Sequence, residues 1–110
     1  MIKIILAEDH PVVKDGIKSV LEAGGDILIV GEAENGLEVI KLLQDGVEAD
    51  LILTDINMPE MDGITLLKKL AEQYPQVNVL CLSMMDNEKF VFEAFEFGAK
   101  GYILKSSNVE

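Results

Sequence analysis

This chain of 110 residues has no tryptophan, one histidine, one cysteine and only nine basic residues against twenty acidic ones. Each scarcity excludes something. Cys81 lies in the apolar run Val79 to Leu82 and has no partner within the chain. No disulfide framework is available, and the thiol reads as buried and reduced, in a cytoplasmic protein. His10 has no second histidine or cysteine with which to build a transition-metal site, and it reads as a helix-start residue. A formal net charge of −11 argues against phosphate-backbone binding, which depends on clustered lysine and arginine, so no direct contact with nucleic acid is expected of this domain. No apolar run reaches membrane-span length, and the N-terminus lacks the basic-then-apolar pattern of a secretion signal. What is present is a 49% apolar chain, enough for one domain over residues 1–110 with a core of its own.

The apolar residues come in short runs separated by helical spacings. Ile2 to Ala7 is a first buried strand, and Pro11 after Glu8-Asp9-His10 suits the first turn of a helix. Val13, Ile17, Val20 and Leu21 recur at three- and four-residue steps until Gly24-Gly25 stops that helix. Ile27 to Val30 is a second strand. Asn35 is an N-cap, with Leu37, Ile40 and Leu43 on the buried side of the helix it opens and Gly46 at its end. Leu51 to Asp55 is a third strand, and Asp62 caps a helix carrying Ile64, Leu67 and Leu70 that Tyr74-Pro75 ends. Val77 to Ser83 is a fourth strand. Asp86 or Asn87 caps a helix through Phe97 closed by Gly98, and Gly101 to Leu104 is a short fifth strand. Strands alternating with helices through short connections give an α/β fold, a right-handed doubly wound parallel sheet. No closing helix follows the fifth strand, so one sheet face is expected to be left unfinished or covered by something else.

The ends of these strands converge chemically. Asp55 stops an apolar strand abruptly, at the edge where open α/β sheets bind ligands. The first strand ends in Glu8 and Asp9, the fourth in Ser83 and the fifth at Lys105. Three carboxylates repel one another unless a cation sits among them, and Mg²⁺ favours a few carboxylates plus water and phosphate oxygens. Ser83 can hydrogen-bond a phosphoryl oxygen while Lys105 pairs with another. A carboxylate nucleophile beside a hard cation with a lysine opposite is what forming an acyl phosphate requires. Taken singly, Glu8, Asp9 and Lys105 read as ordinary solvated surface. Only their joint placement at one sheet edge points to chemistry.

The pieces Ile4-Ile-Leu-Ala-Glu-Asp-His-Pro11, Thr54-Asp-Ile-Asn-Met-Pro-Glu-Met-Asp-Gly63, Leu80-Cys-Leu-Ser83 and Gly98-Ala-Lys-Gly-Tyr-Ile-Leu-Lys105 together resemble the receiver domain of bacterial two-component response regulators. The likeness runs from Met1 to about Ser107. It is nearest to the subfamily with a helix-turn-helix DNA-binding domain after the receiver. The resemblance implies a flavodoxin-like five-stranded sheet in the order 2-1-3-4-5. It makes Asp55 the phosphoacceptor. Glu8, Asp9, Asp55 and the backbone carbonyl of Asn57 become holders of Mg²⁺ (or Mn²⁺). Ser83 and Tyr102 match the switch pair and Lys105 the phosphate-pairing lysine. The implied partner is a sensor histidine kinase, with a homodimer as a further possibility and transcription regulated through an output domain. The domain itself would catalyse only its own phosphorylation and dephosphorylation.

Three departures from the family pattern stand out. Met84 follows Ser83 where a small residue is common, which predicts a partly shielded site and slower reaction with small phosphodonors. Ser106 follows Lys105 where proline is common. A cis bond before serine costs about 2.5–4 kcal/mol, so a trans bond is expected. The closing helix is the third. In addition, Phe90, Phe92, Phe95 and Phe97 are all the phenylalanines of the chain, crowded on the fourth helix. With Val91, Ala94 and Phe95 as the buried stripe, Phe90, Phe92 and Phe97 cannot all point inward. They then offer either extra core packing or an apolar interaction surface.

Rival functions make different demands. An aspartyl-phosphate phosphatase of the haloacid dehalogenase type shares the Asp–Mg²⁺–Lys chemistry but wants a second acid two positions after the nucleophile, where this chain has Asn57. A flavodoxin-like cofactor carrier needs a Ser-, Thr- and Gly-rich phosphate loop after the first strand, where this chain has Glu8-Asp9-His10-Pro11. A receiver that signals without phosphorylation would not need the complete acidic set.

Overall fold

The computed structural model describes residues 1–56, 58, 60–83 and 88–104, with side chains throughout except at 83, 88–91 and 104. The elements run β1 (Ile2–Ala7), α1 (Pro11–Glu22), β2 (Ile27–Ala33), α2 (Gly36–Gln44), β3 (Leu51–Asp55), α3 (Gly63–Gln73), β4 (Asn78–Ser83), α4 (Glu88–Glu96) and β5 (Gly101–Leu104). All strand pairs are parallel, and the sheet order is β2-β1-β3-β4-β5. This is the doubly wound, flavodoxin-like arrangement that the sequence implied.

The inner strands are unbroken apolar runs because both of their faces are covered. Ile5, Ile52, Val79 and Cys81 face a core completed by Val39 of α2, by Leu66, Leu67 and Leu70 of α3, and by Ala94 of α4. Ile4, Leu6, Leu53 and Leu82 point the other way, toward Ile17 and Leu21 of α1. Burying one such Leu or Ile side chain is worth roughly 1.5–3 kcal/mol, so these inner strands are the rigid frame of the molecule. Among the described residues, α1 is the single helix on its face. It is tied to β2 by Lys18, whose Nζ lies 2.7 Å from Glu32 Oε2, and by Lys14 at 3.8 Å from Oε1.

The structure alters four expectations. β2 continues past Val30 through Gly31, Glu32 and Ala33, which pair with Ile5, Leu6 and Ala7 after a register shift between Ile4 and Ile5. An edge strand tolerates a glycine and a glutamate that an inner one would not. Val20, expected on the buried stripe of α1, is 76% exposed and borders an apolar groove with Val13, Gly16, Ile17 and Leu21. On α2, Ile40 and Leu43 pack against the core as expected, but the fully buried residues are Gly36 and Val39, and Leu37 is half exposed. On α4, Phe95 is 50% exposed and Phe92 72%, while Phe97 turns inward against the core, its ring 4.7 Å from Lys68 Nζ. The apolar surface of α4 therefore includes Phe95 rather than Phe97. The side chains of Phe90 and Val91, and the Lys105–Ser106 bond, lie outside the described residues.

Candidate functional site

The strand register builds the site. Ala7 pairs with Thr54, so one further step along both strands sets residue 8 beside residue 55. The backbone at both positions is pinned: Glu8 N–H donates to Ala33 O at 2.9 Å, and Ile56 N–H donates to Leu82 O at 3.0 Å. Neither carboxylate is on a loose loop. Glu8 is fully buried and Asp55 is 3% exposed, unusual positions for acids without a purpose.

The loop after β3 turns back at once. Gly63 N–H donates to Ile56 O at 2.9 Å, and a Cβ at Gly63 would stand 2.4 Å from Asp55 O. Only glycine lets α3 start so close under the strand end. Glu60, at φ 65°, takes the left-handed backbone within this loop. Asp62 caps α3 by accepting a hydrogen bond from Thr65 N–H at 2.8 Å. From the other side, Gly36 N–H donates to Met61 O at 2.9 Å, so the first turn of α2 holds the loop as well. Asn35 caps α2 in the same manner, its Oδ1 accepting from Glu38 N–H at 2.9 Å. The caps foreseen at Asn35 and Asp62 are thus formed.

Ligand atoms of Glu8, Asp9, His10 and Asp55 all lie within 4.8 Å of one another. The carboxylates are as the sequence suggested. His10 is not. It occupies the N-cap position of α1 without making a capping hydrogen bond. Its ring turns back instead, with Nδ1 3.0 Å from Glu8 Oε2 and 3.2 Å from Asp9 Oδ1, while its backbone N–H donates to Glu8 Oε2 at 3.2 Å. No periodicity could have found this contact, because it depends on the χ angles of one side chain at a turn.

The donor set suits a cation. Three carboxylates at this spacing repel one another, and Asp9 Oδ1 is a buried oxygen that accepts no hydrogen bond from the described residues, despite the nearby imidazole. Oxygen-rich clusters of this kind are what hard divalent ions bind. The cluster can hold a metal ion. The negative charge is also felt on β4: burial, and then the charge of Asp55, push the Cys81 thiol up to about 12.

β4 brings Ser83 to the same edge, one residue past Leu82, the partner of Asp55. Tyr102 on β5 pairs with Cys81 and packs half-buried against the α2–α3–α4 side of the core. The Ser83 side chain, Asn57, Met84 and Lys105 lie outside the described residues. No helix among the described residues is long and apolar enough to cross a membrane.

Residues 4–110 match the family model of the response regulator receiver domain. The uncharacterized transcriptional regulatory protein YhcZ of Bacillus subtilis is 40% identical over 108 residues, which cover 98% of this chain and 50% of YhcZ. The nitrate/nitrite response regulator protein NarL of Escherichia coli is 39% identical over 107 residues, 97% of this chain and 49% of NarL. The chain thus spans about half the length of the curated relatives it matches. Among solved structures, the isolated receiver domain of RcsB from Salmonella enterica serovar Typhimurium, in the presence of the phosphomimetic BeF3⁻, is similar with a TM-score of 0.89 at 31% identity, covering 96% of this chain and 78% of that one. With the strand order, the acidic edge and the family match in agreement, this chain belongs to the response regulator receiver domain family.

Proposed function

We propose that this domain is a phosphorylation-controlled switch in which a sensor histidine kinase passes a phosphoryl group to Asp55. The observation that carries the proposal is the placement of Asp55, buried at the end of β3 with its carboxylate within 4.8 Å of oxygens from Glu8 and Asp9. A carboxylate oxygen of Asp55 attacks phosphorus, and the phosphorus–nitrogen bond to the kinase histidine breaks with its electron pair leaving on the imidazole. Glu8, Asp9, Asp55 and the backbone carbonyl of Asn57 are the groups that would hold Mg²⁺ or Mn²⁺. When bound, the ion offsets the charge of the carboxylates and of the incoming phosphoryl oxygens.

By resemblance, Lys105 pairs with a phosphoryl oxygen, Ser83 is drawn toward the new group, and Tyr102 moves inward behind it. That is a local charge event biasing a two-state element. Met84, which follows Ser83 where the family commonly has a small residue, is expected to slow small phosphodonors. The domain catalyses only its own acylation and hydrolysis and turns over no free metabolite. In the cytoplasm, and as part of a longer protein like its relatives, it regulates transcription through an output region. DNA is not expected to touch this acidic domain itself. The test is incubation with Mg²⁺ and a competent kinase, then intact-mass measurement of wild type against Asp55→Asn. An acid-stable, base-labile adduct of one phosphoryl group is expected on wild type and none on the variant. Its absence from wild type sinks the proposal.

A further inference from the structure

The single histidine of the chain carries the inference. The imidazole of His10 is placed on the acidic site rather than on the helix it starts, with Nδ1 3.0 Å from Glu8 Oε2 and 3.2 Å from Asp9 Oδ1. An ion that binds oxygen or nitrogen at about 2.0–2.2 Å sets adjacent ligand atoms roughly 2.8–3.6 Å apart, from octahedral to tetrahedral geometry. Both separations fall within that span. Before an ion enters, the contact with Glu8 Oε2 serves as a hydrogen bond. With the proton on Nε2, Nδ1 presents its lone pair to the space that the carboxylates share.

We infer that His10 is an additional ligand of the cation site, converting an all-oxygen site into a mixed nitrogen and oxygen site that favours imidazole-binding ions such as Ni²⁺ and Zn²⁺ over Mg²⁺. Carboxylates and waters suit Mg²⁺ and Mn²⁺, whereas an imidazole raises affinity most for the later first-row ions. In place of a second histidine or cysteine, Glu8, Asp9 and Asp55 supply the remaining donors. The consequence is regulatory. Where such an ion is available it displaces Mg²⁺ from the phosphoacceptor site, so the response depends on which divalent ion the domain carries.

The inference rests on the acidic edge being the cation site of the switch, but its test is separate from phosphorylation. Protein free of any histidine tag is loaded with Mn²⁺, and electron spin-echo modulation is used to look for coupling to an imidazole nitrogen. His10 is the sole possible source of that signal. Coupling is expected in wild type and absent in His10→Ala. In parallel, Ni²⁺ and Mg²⁺ are titrated calorimetrically into both proteins. Ni²⁺ affinity is expected to fall about tenfold or more in the variant and Mg²⁺ affinity by less than about twofold. Wild type without nitrogen coupling, or equal losses for the two ions, overturns the inference. The wild-type resonance needs no variant, so a His10→Ala protein that folds poorly leaves the test intact. Failure here together with normal phosphorylation of Asp55 refutes the ligand role of His10 alone.

Discussion

At Gly63 a single missing side chain decides whether the site can be built. A Cβ there would meet Asp55 O at 2.4 Å and Ile56 Cα at 2.9 Å, backbone atoms that cannot swing aside. Gly63→Ala is expected to destabilise the domain by about 1–3 kcal/mol, measured by urea unfolding, through overpacking beside the strand end. Cys81 makes a different forecast, in pH. Its thiol is held up to about 12 from an ordinary 9.0, first by burial and then by the charge of Asp55. Between those values the native state keeps a proton that the unfolded chain gives up, so stability falls as pH rises through the window and is unaffected below it. Denaturation of Cys81→Val across the same range should show a shallower fall than wild type, and an equal slope would contradict the assignment. The contrast with His10 shows what a sequence can and cannot say. The apolar neighbours of Cys81 announced its burial. The turn of the His10 ring toward Glu8 leaves no trace in residue order.

Among the elements, the strands were far more legible than the sidedness of the helices. Buried parallel strands write themselves as apolar runs, and Asp55 stood out because it ended one. A nine-residue helix such as α2 has room for two apolar stripes. Of Leu37, Ile40 and Leu43, the last two do pack on the core, yet the fully buried pair is Gly36 and Val39, because glycine reads as blank in a hydrophobic pattern while Met61 packs directly upon it. On α4, Phe95 and Phe97 exchanged expected places for a similar reason: the helix ends at Glu96, and beyond it Phe97 folds under Lys68. The caps were readable because their chemistry is local. Asn35→Ala removes the hydrogen bond to Glu38 N–H and is expected to cost about 0.5–2 kcal/mol. Asn35→Asp, which keeps the acceptor, should restore most of that loss in the same thermal or urea melts.

For the molecule as a whole, charge and apolar surface pull against each other. Phe92 and Phe95 expose a patch on α4 that favours contact with a partner or a second copy, while a net charge of −11 makes two copies repel. Self-association through α4 is therefore expected to be weak at low ionic strength and stronger at high salt, where repulsion is screened. Sedimentation of the domain with and without a phosphate analogue, repeated for Phe92→Ser with Phe95→Ser, measures it. A monomer at high concentration under every condition would count heavily against the patch as a dimer contact. Finally, the bond from Gly36 N–H to Met61 O turns one backbone amide into a gauge. Deuterium can replace that hydrogen only when the loop carrying Met61 lifts away from α2. The exchange rate at Gly36 thus reports how often the chain beyond Asp55 opens, and any modification or ion that tightens this corner should slow it.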